Sequence, residues 1–188
     1  GLDVSQVYDG VPTTSVAVNA NGTYDYHWKA DNVGSFLYHC HVQTVMHSSL
    51  GMYGMIVVRN KPNAAALYTG GPGFNKEKNF LSSELFTYWN LNPTSPGPFH
   101  LFDPDYFMIN GKSTTQIFTD SNCVVNAEVG DSILLRLANV AFSKVVYDFP
   151  EGLNPTVYTS DGRLIPVPME VDSLVLYAGE RYQVILRP

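Results

Sequence analysis

Along much of this chain apolar side chains recur at every second position, the pattern of strands that bury one face. Val16 and Val18 alternate with small or polar residues, and Tyr24, Tyr26 and Trp28 do the same around Asp25, His27 and Lys29. Ser35 to Cys40 and Gly54 to Val58 predict two more strands, the second the more fully buried. A further block predicts strands over Phe80 to Trp89, from Tyr106 to an Asn110-Gly111 turn, and over Val124 to Val129. It continues with Ile133 to Leu137, Thr156 to Ser160 before an Asp161-Gly162 turn, and Tyr182 to Leu186. Helical periodicity is nearly absent. Short strands separated by turn signals predict an all-β chain of sandwich or barrel units.

Residues 61–78 hold Lys-Pro-Asn-Ala-Ala-Ala and Gly70-Gly71-Pro72-Gly73, with breakers and little apolar pattern. This reads as a linker between two units. With 188 residues, 45% of them hydrophobic and 15% charged, the chain has enough apolar surface for folded cores. The net charge of −6 and the lack of a basic run argue against nucleic acid and anionic membranes as partners. No apolar stretch is long enough to span a membrane, and no signal peptide opens the chain, although a cleaved leader would leave no trace. Asn21-Gly22-Thr23 is a glycosylation sequon, meaningful only in a eukaryotic secreted protein.

Candidate chemistry is concentrated between Tyr38 and Met52. Four of the five histidines lie between residues 27 and 47, and His39, His41 and His47 surround Cys40. A thiolate and two imidazoles in a trigonal plane, with a weak axial thioether, make a blue-copper electron-transfer site. Cys40, His47 and Met52 supply the thiolate, one imidazole and the thioether; a second imidazole must come from elsewhere. Where Cys40 ends a strand, its neighbours His39 and His41 face the other way. They would present two imidazoles to a different metal centre, joined to the sulfur by two peptide links. Zinc also accepts Cys and His, but the Gly51-Met52 ending and the β architecture favour copper.

His39-Cys40-His41, followed by His47 and Gly51-Met52-Tyr53-Gly54, resembles the copper signature of the multicopper oxidases, the laccase-like group. The resemblance implies that His39 and His41 bind the type 3 pair of a trinuclear cluster that reduces dioxygen to water. It implies type 1 copper on Cys40, His47 and Met52, and a catalytic role for His39, Cys40 and His41. Weaker likenesses, in order, are Asp9-Gly10-Val11-Pro12, Phe107 to Lys112, Leu135 to Asn139, Ser160 to Arg163 and Gly179 to Tyr182. The implied fold is two cupredoxin-like Greek-key β-sandwich domains, both incomplete. Residues 1–60 would be the C-terminal part of a first domain carrying copper ligands, 61–78 the linker, and 79–188 a second domain without them. The remaining ligands, including an upstream His-x-His pair, would come from other domains of the same protein. Dioxygen and a reducing substrate (a phenol, a metal ion or a protein donor) are the implied partners, and the periplasm or cell exterior the implied location. Copper nitrite reductases have a similarly extended ligand loop but typically lack a histidine at the position of His41. A non-catalytic copper-binding or electron-transfer cupredoxin module is the third reading.

Other candidates have plainer explanations. Met46 and Met55 read as core, His27 as a solvent-facing strand residue, and His100 as a loop residue. Cys123 reads as a free thiol, since pairing with Cys40 would destroy the copper site. Asp103 and Asp105 read as solvated loop carboxylates.

Overall fold

The structure is a computed structural model and describes residues 2–188. The N-terminal block contains β1 (Asp3–Val4), β2 (Trp28–Lys29), β3 (Gly34–His39), the short helix α1 (Thr44–Ser49) and β4 (Tyr53–Val58). β1 pairs antiparallel with β2, and β3 with β4. The C-terminal block contains β5 (Lys76–Leu85), α2 (Thr87–Leu91), β6 (Tyr106–Ile109), β7 (Lys112–Ser113), β8 (Ile133–Asn139) and β9 (Val145–Asp148). It ends with β10 (Thr156–Ser160), β11 (Arg163–Glu170), β12 (Ser173–Leu176) and β13 (Arg181–Leu186). The expected all-β, cupredoxin-like architecture is present.

One seven-stranded sheet, ordered β11-β10-β13-β8-β5-β6-β7, dominates the C-terminal block. It is antiparallel except where β5 and β8 run parallel. All seven residues of β8 are buried, because the sheet is covered on both sides there. On one side, Ile133, Leu135 and Leu137 meet Val157, Val184 and Leu186, with Leu174 and Leu176 of the β9–β12 pair laid across them. On the other, Leu134 and Ile185 are covered by Leu67, Tyr68 and Phe74. Leu67, Tyr68 and Phe74 are therefore packed against the sheet while residues 61–65 are exposed, and an isolated bridge joins Ala66 to Gly73. β5 already begins at Lys76, within the stretch expected to be linker.

β3 joins the two blocks. Phe36 is buried against the Asp161-Gly162 turn, where a Cβ on Gly162 would fall inside its ring. Gly162 has φ +75°, so it is suited to the turn both by backbone freedom and by that contact. The Arg181 guanidinium reaches the Ser35 carbonyl at 3.4 Å. Arg59, at the end of β4, donates to Glu77, which also pairs with the buried Arg136. Burial by itself would raise the Glu77 carboxyl, yet the two guanidiniums hold it below its ordinary range.

Several strand expectations change. Val16, Val18 and residues 24–27 lie outside strands, and Tyr8, Tyr24 and Tyr26 pack on one another instead. β4 is half-buried throughout, whereas Gly34, Ser35 and Phe36 of β3 are fully buried. The strand expected over Phe80 to Trp89 starts earlier and ends at Leu85, because the Asp105 carboxylate accepts the Thr87 N–H at 2.6 Å and starts α2. Asp105 is thus a helix cap rather than a merely solvated carboxylate. Val124 to Val129 form no strand; the Asp131 carboxylate accepts the Glu128 N–H and turns the chain, leaving Val129 96% exposed. Among the described residues, no helix is long and apolar enough to cross a membrane.

Candidate metal centre

β3 and β4 deliver the ligand loop. Their antiparallel register places His39 opposite Tyr53 and Tyr38 opposite Gly54, where the Tyr38 ring lies over the glycine in space a Cβ would fill. Beyond β3 the backbone is clasped rather than free. The Cys40 N–H donates to the Met52 carbonyl at 3.1 Å, and the Met52 N–H donates to the His47 carbonyl at 3.0 Å. Between these points α1 starts after Gln43, which has the left-handed φ of 49°. The His47 N–H donates back to the Gln43 carbonyl at 3.0 Å. Met46 is buried beneath the helix, as expected of a core residue.

The ligand candidates gather into two pairs. The rings of His39 and His41 stack with centroids 4.7 Å apart and planes 18° from parallel. His39 Nδ1 lies 3.0 Å from the Cys40 carbonyl, and the His41 ring rests on Gly10. Cys40 Sγ instead lies 3.1 Å from His47 Nδ1, and its thiol hydrogen can reach the Val42 carbonyl at 3.2 Å. The sulfur and its adjacent imidazoles therefore have different neighbours, although β3 ends at His39 and strand alternation does not extend to Cys40 and His41. Met52 meets the Cys40 backbone through its carbonyl, while the residue as a whole is 53% exposed. Among the described residues, no three His, Cys, Asp or Glu side chains converge to enclose an ion.

The donor chemistry fits copper. A soft cysteine sulfur and a borderline imidazole nitrogen face one another from a single loop, and two further imidazoles lie one residue to either side of the sulfur. The remaining candidates fall elsewhere. His27 is exposed and edge-on to Tyr8, His100 is exposed, and Cys123 is a free buried thiol whose Sγ reaches the Ile109 carbonyl at 3.2 Å. Burial pushes the Cys123 thiol up, making it a poor thiolate ligand. Sequence reasoning missed the Met52 backbone clasp, which leaves no signature in residue type.

Two clefts flank α1. One, about 400 Å³, has Leu37, His39 and Tyr53 on one wall and Ala141, Phe142 and Arg181 on the other. The second, about 720 Å³, lies between α1 with His47 and residues 93–99.

His39 at the end of β3, Cys40 and His41 just beyond it, and a clasped His47 and Met52 form a donor set suited to copper, set beside a β-sheet block. Residues 1–63 and residues 82–188 each match a family profile described as multicopper oxidase. The chain belongs to the multicopper oxidase family. It is 27% identical to the oxidoreductase OpS5 of Beauveria bassiana over 97% of its own length and 31% of the relative's. It is 28% identical to laccase-2 of Botryotinia fuckeliana over 95% of its length and 31% of that protein. The copper-containing nitrite reductase of Neisseria gonorrhoeae is 27% identical over 90% of this chain and 42% of its own length. Among solved structures, the blue copper oxidase of Nitrosomonas europaea superimposes with a TM-score of 0.79 at 26% identity, covering 96% of this chain and 54% of that one. The multicopper oxidase mgLAC does so with a TM-score of 0.78 at 25% identity, covering 99% and 57%. The chain thus spans about a third of the length of the first two curated relatives.

Proposed function

We propose that this chain is the part of a multicopper oxidase that receives single electrons from a reducing substrate and passes them towards the reduction of dioxygen to water. The carrying observation is the division between the Cys40–His47 pair and the His39–His41 pair. On this reading Cys40, His47 and Met52 hold type 1 copper, while His39 and His41 hold coppers of a trinuclear cluster completed by residues outside this chain. Bound copper would supply a one-electron couple at the sulfur and a dioxygen-reducing centre at the imidazoles. The chain supplies the connection: from Cys40 Sγ, one peptide bond leads towards His39 and another towards His41. The clasp between Cys40 and Met52 holds the sulfur beside His47 without relying on the loop's side chains. The stacked rings of His39 and His41 keep two imidazoles side by side for neighbouring metal ions.

The same reading takes residues 1–60 as the end of a first cupredoxin domain and residues 79–188 as a second without copper ligands. Its partners are dioxygen, a small reductant and the other domains of the protein; its location is the periplasm or the cell exterior. The likeness to nitrite reductases favours a second reading, in which a single type 2 copper is the catalytic centre. His41 discriminates between them. In copper-loaded full-length protein, the oxidase reading expects near-ultraviolet absorption from a coupled copper pair, lost in His41→Ala together with oxygen consumption while the blue colour remains. Full oxygen consumption in His41→Ala would overturn it.

A further inference from the structure

One face of the C-terminal sheet carries a buried polar row. β13 and β8 place Gln183 opposite Arg136, and β10 places Thr159 opposite Gln183. Cross-strand partners share a face, and here it is the face on which Leu134 and Ile185 are covered by Leu67. Thr159, Gln183 and Arg136 are each no more than 2% exposed. Polar groups at that depth need partners.

The shortage of partners has one sign. The Thr159 hydroxyl donates to Gln183 Oε1 at 2.9 Å, and Arg136 Nε donates to Glu77 Oε1. Glu77 Oε2 accepts from Nε and Nη2 of Arg59, at the end of β4. Both carboxylate oxygens are therefore engaged. Among the described residues, Arg136 Nη1 and Gln183 Nε2 are buried and meet no acceptor. Both are donors. The orphaned carboxylate oxygen of Glu84 does not serve them, because Glu84 shares the opposite face of β5 with Phe80, which lies in the other core. The charged groups that act on Arg136 are Glu77 and Arg59. Two guanidiniums and one carboxylate leave one positive charge in excess where the N-terminal block meets the sheet.

We infer that Arg136 and Gln183 bind a small monovalent anion of the halide class, such as chloride, at the junction of the two blocks. A halide accepts N–H groups from any direction, which suits a guanidinium and an amide arriving from neighbouring strands. It also cancels the excess charge, which a water molecule would leave in place. The site uses none of the candidate copper ligands.

The test uses full-length protein crystallised with bromide, which anomalous scattering locates. A peak is expected within hydrogen-bonding reach of Arg136 Nη1 and Gln183 Nε2. In Gln183→Glu the new carboxylate takes the anion's place beside Arg136, and the peak disappears. Thermal unfolding of copper-depleted full-length protein, which removes halide binding to copper, supplies the matching thermodynamics, with gluconate holding ionic strength constant. In the parent the midpoint rises with bromide, and the apparent unfolding constant falls about tenfold at about ten times the dissociation constant. Gln183→Glu is indifferent to bromide. The inference is overturned if the parent shows no peak there, whether water or a reversed Gln183 amide satisfies Arg136 instead, or if Gln183→Glu keeps the peak. Equal bromide dependence in the parent and Gln183→Glu also overturns it, since the stabilising ion then binds elsewhere. Should Gln183→Glu fail to fold, Gln183→Met, which lacks the donor, carries both comparisons.

Discussion

The sulfur of Cys40 lies 3.1 Å from Nδ1 of His47, while the rings on either side of it in sequence, His39 and His41, turn away and stack on each other. Residues at and just beyond the end of β3 thus have different side-chain neighbours. The proposed division of labour between two metal centres rests on that local order.

Replacing the sulfur isolates that division. Cys40→Ser removes the thiolate, so the blue absorption disappears. His39 and His41 remain, and copper analysis should show loss of the type 1 ion with the others retained. Retention of the blue band in purified, copper-loaded Cys40→Ser would contradict the assignment.

Gly54→Ala tests the support beneath the ligand strand. An added Cβ enters space occupied by the Tyr38 ring, which must swing away from β4. The expected cost is about 1–3 kcal/mol of stability, as for overpacking in general. Denaturant titration measures it, and an unchanged midpoint would show that Tyr38 moves freely.

Glu77→Gln leaves the Arg136 guanidinium, in a residue only 1% exposed, without its counterion, and removes the charge that Arg59 meets from the other block. Breaking such a pair from one side costs about 3–5 kcal/mol. Chemical denaturation should show a fall in stability, and limited proteolysis near residues 59–77 should speed up.

Acid stability has a specific contributor in Asp131. Hydrogen bonds from Lys76 Nζ, the Glu128 N–H and the Asn75 amide lower its pKa from an ordinary 3.8 to about 2. Because the folded value is depressed, the stabilisation is complete above pH 3.8 and is lost as pH falls towards about 2. Asp131→Asn should flatten the acid limb of a stability–pH curve across that window. An unaltered limb would remove Asp131 from the account.

Legibility in the sequence varied with the physical origin of each feature. β10 was visible from β-branched and aromatic residues leading into a turn, and the buried β8 from a short apolar run after the Gly130-Asp131 turn signal. The Asn110-Gly111 and Asp161-Gly162 turns could be read because both residues of each pair adopt positive φ. β11 was missed since Pro166 and Pro168 argue against a strand; as the sheet's edge it tolerates them, pairing only with β10. Alternating aromatics predicted a strand over residues 24–29, of which only Trp28 and Lys29 form one, because the rings of Tyr24 and Tyr26 pack on one another without a ladder. His39, Cys40, His41, His47 and Met52 were singled out by ligand type, which is chemistry written directly in the residues. The clefts and the coverage of the sheet by Leu67 depend on long-range packing, which residue spacing does not encode.

The hydrogen bond from Cys40 to the Met52 carbonyl closes the ligand loop at its neck, and Tyr53 re-enters β4 immediately afterwards. Everything between those anchor points hangs from a fastened ring. The segment inside the ring can change in length or composition without shifting β3 and β4, so the position of His39 is set independently of the loop that carries His47.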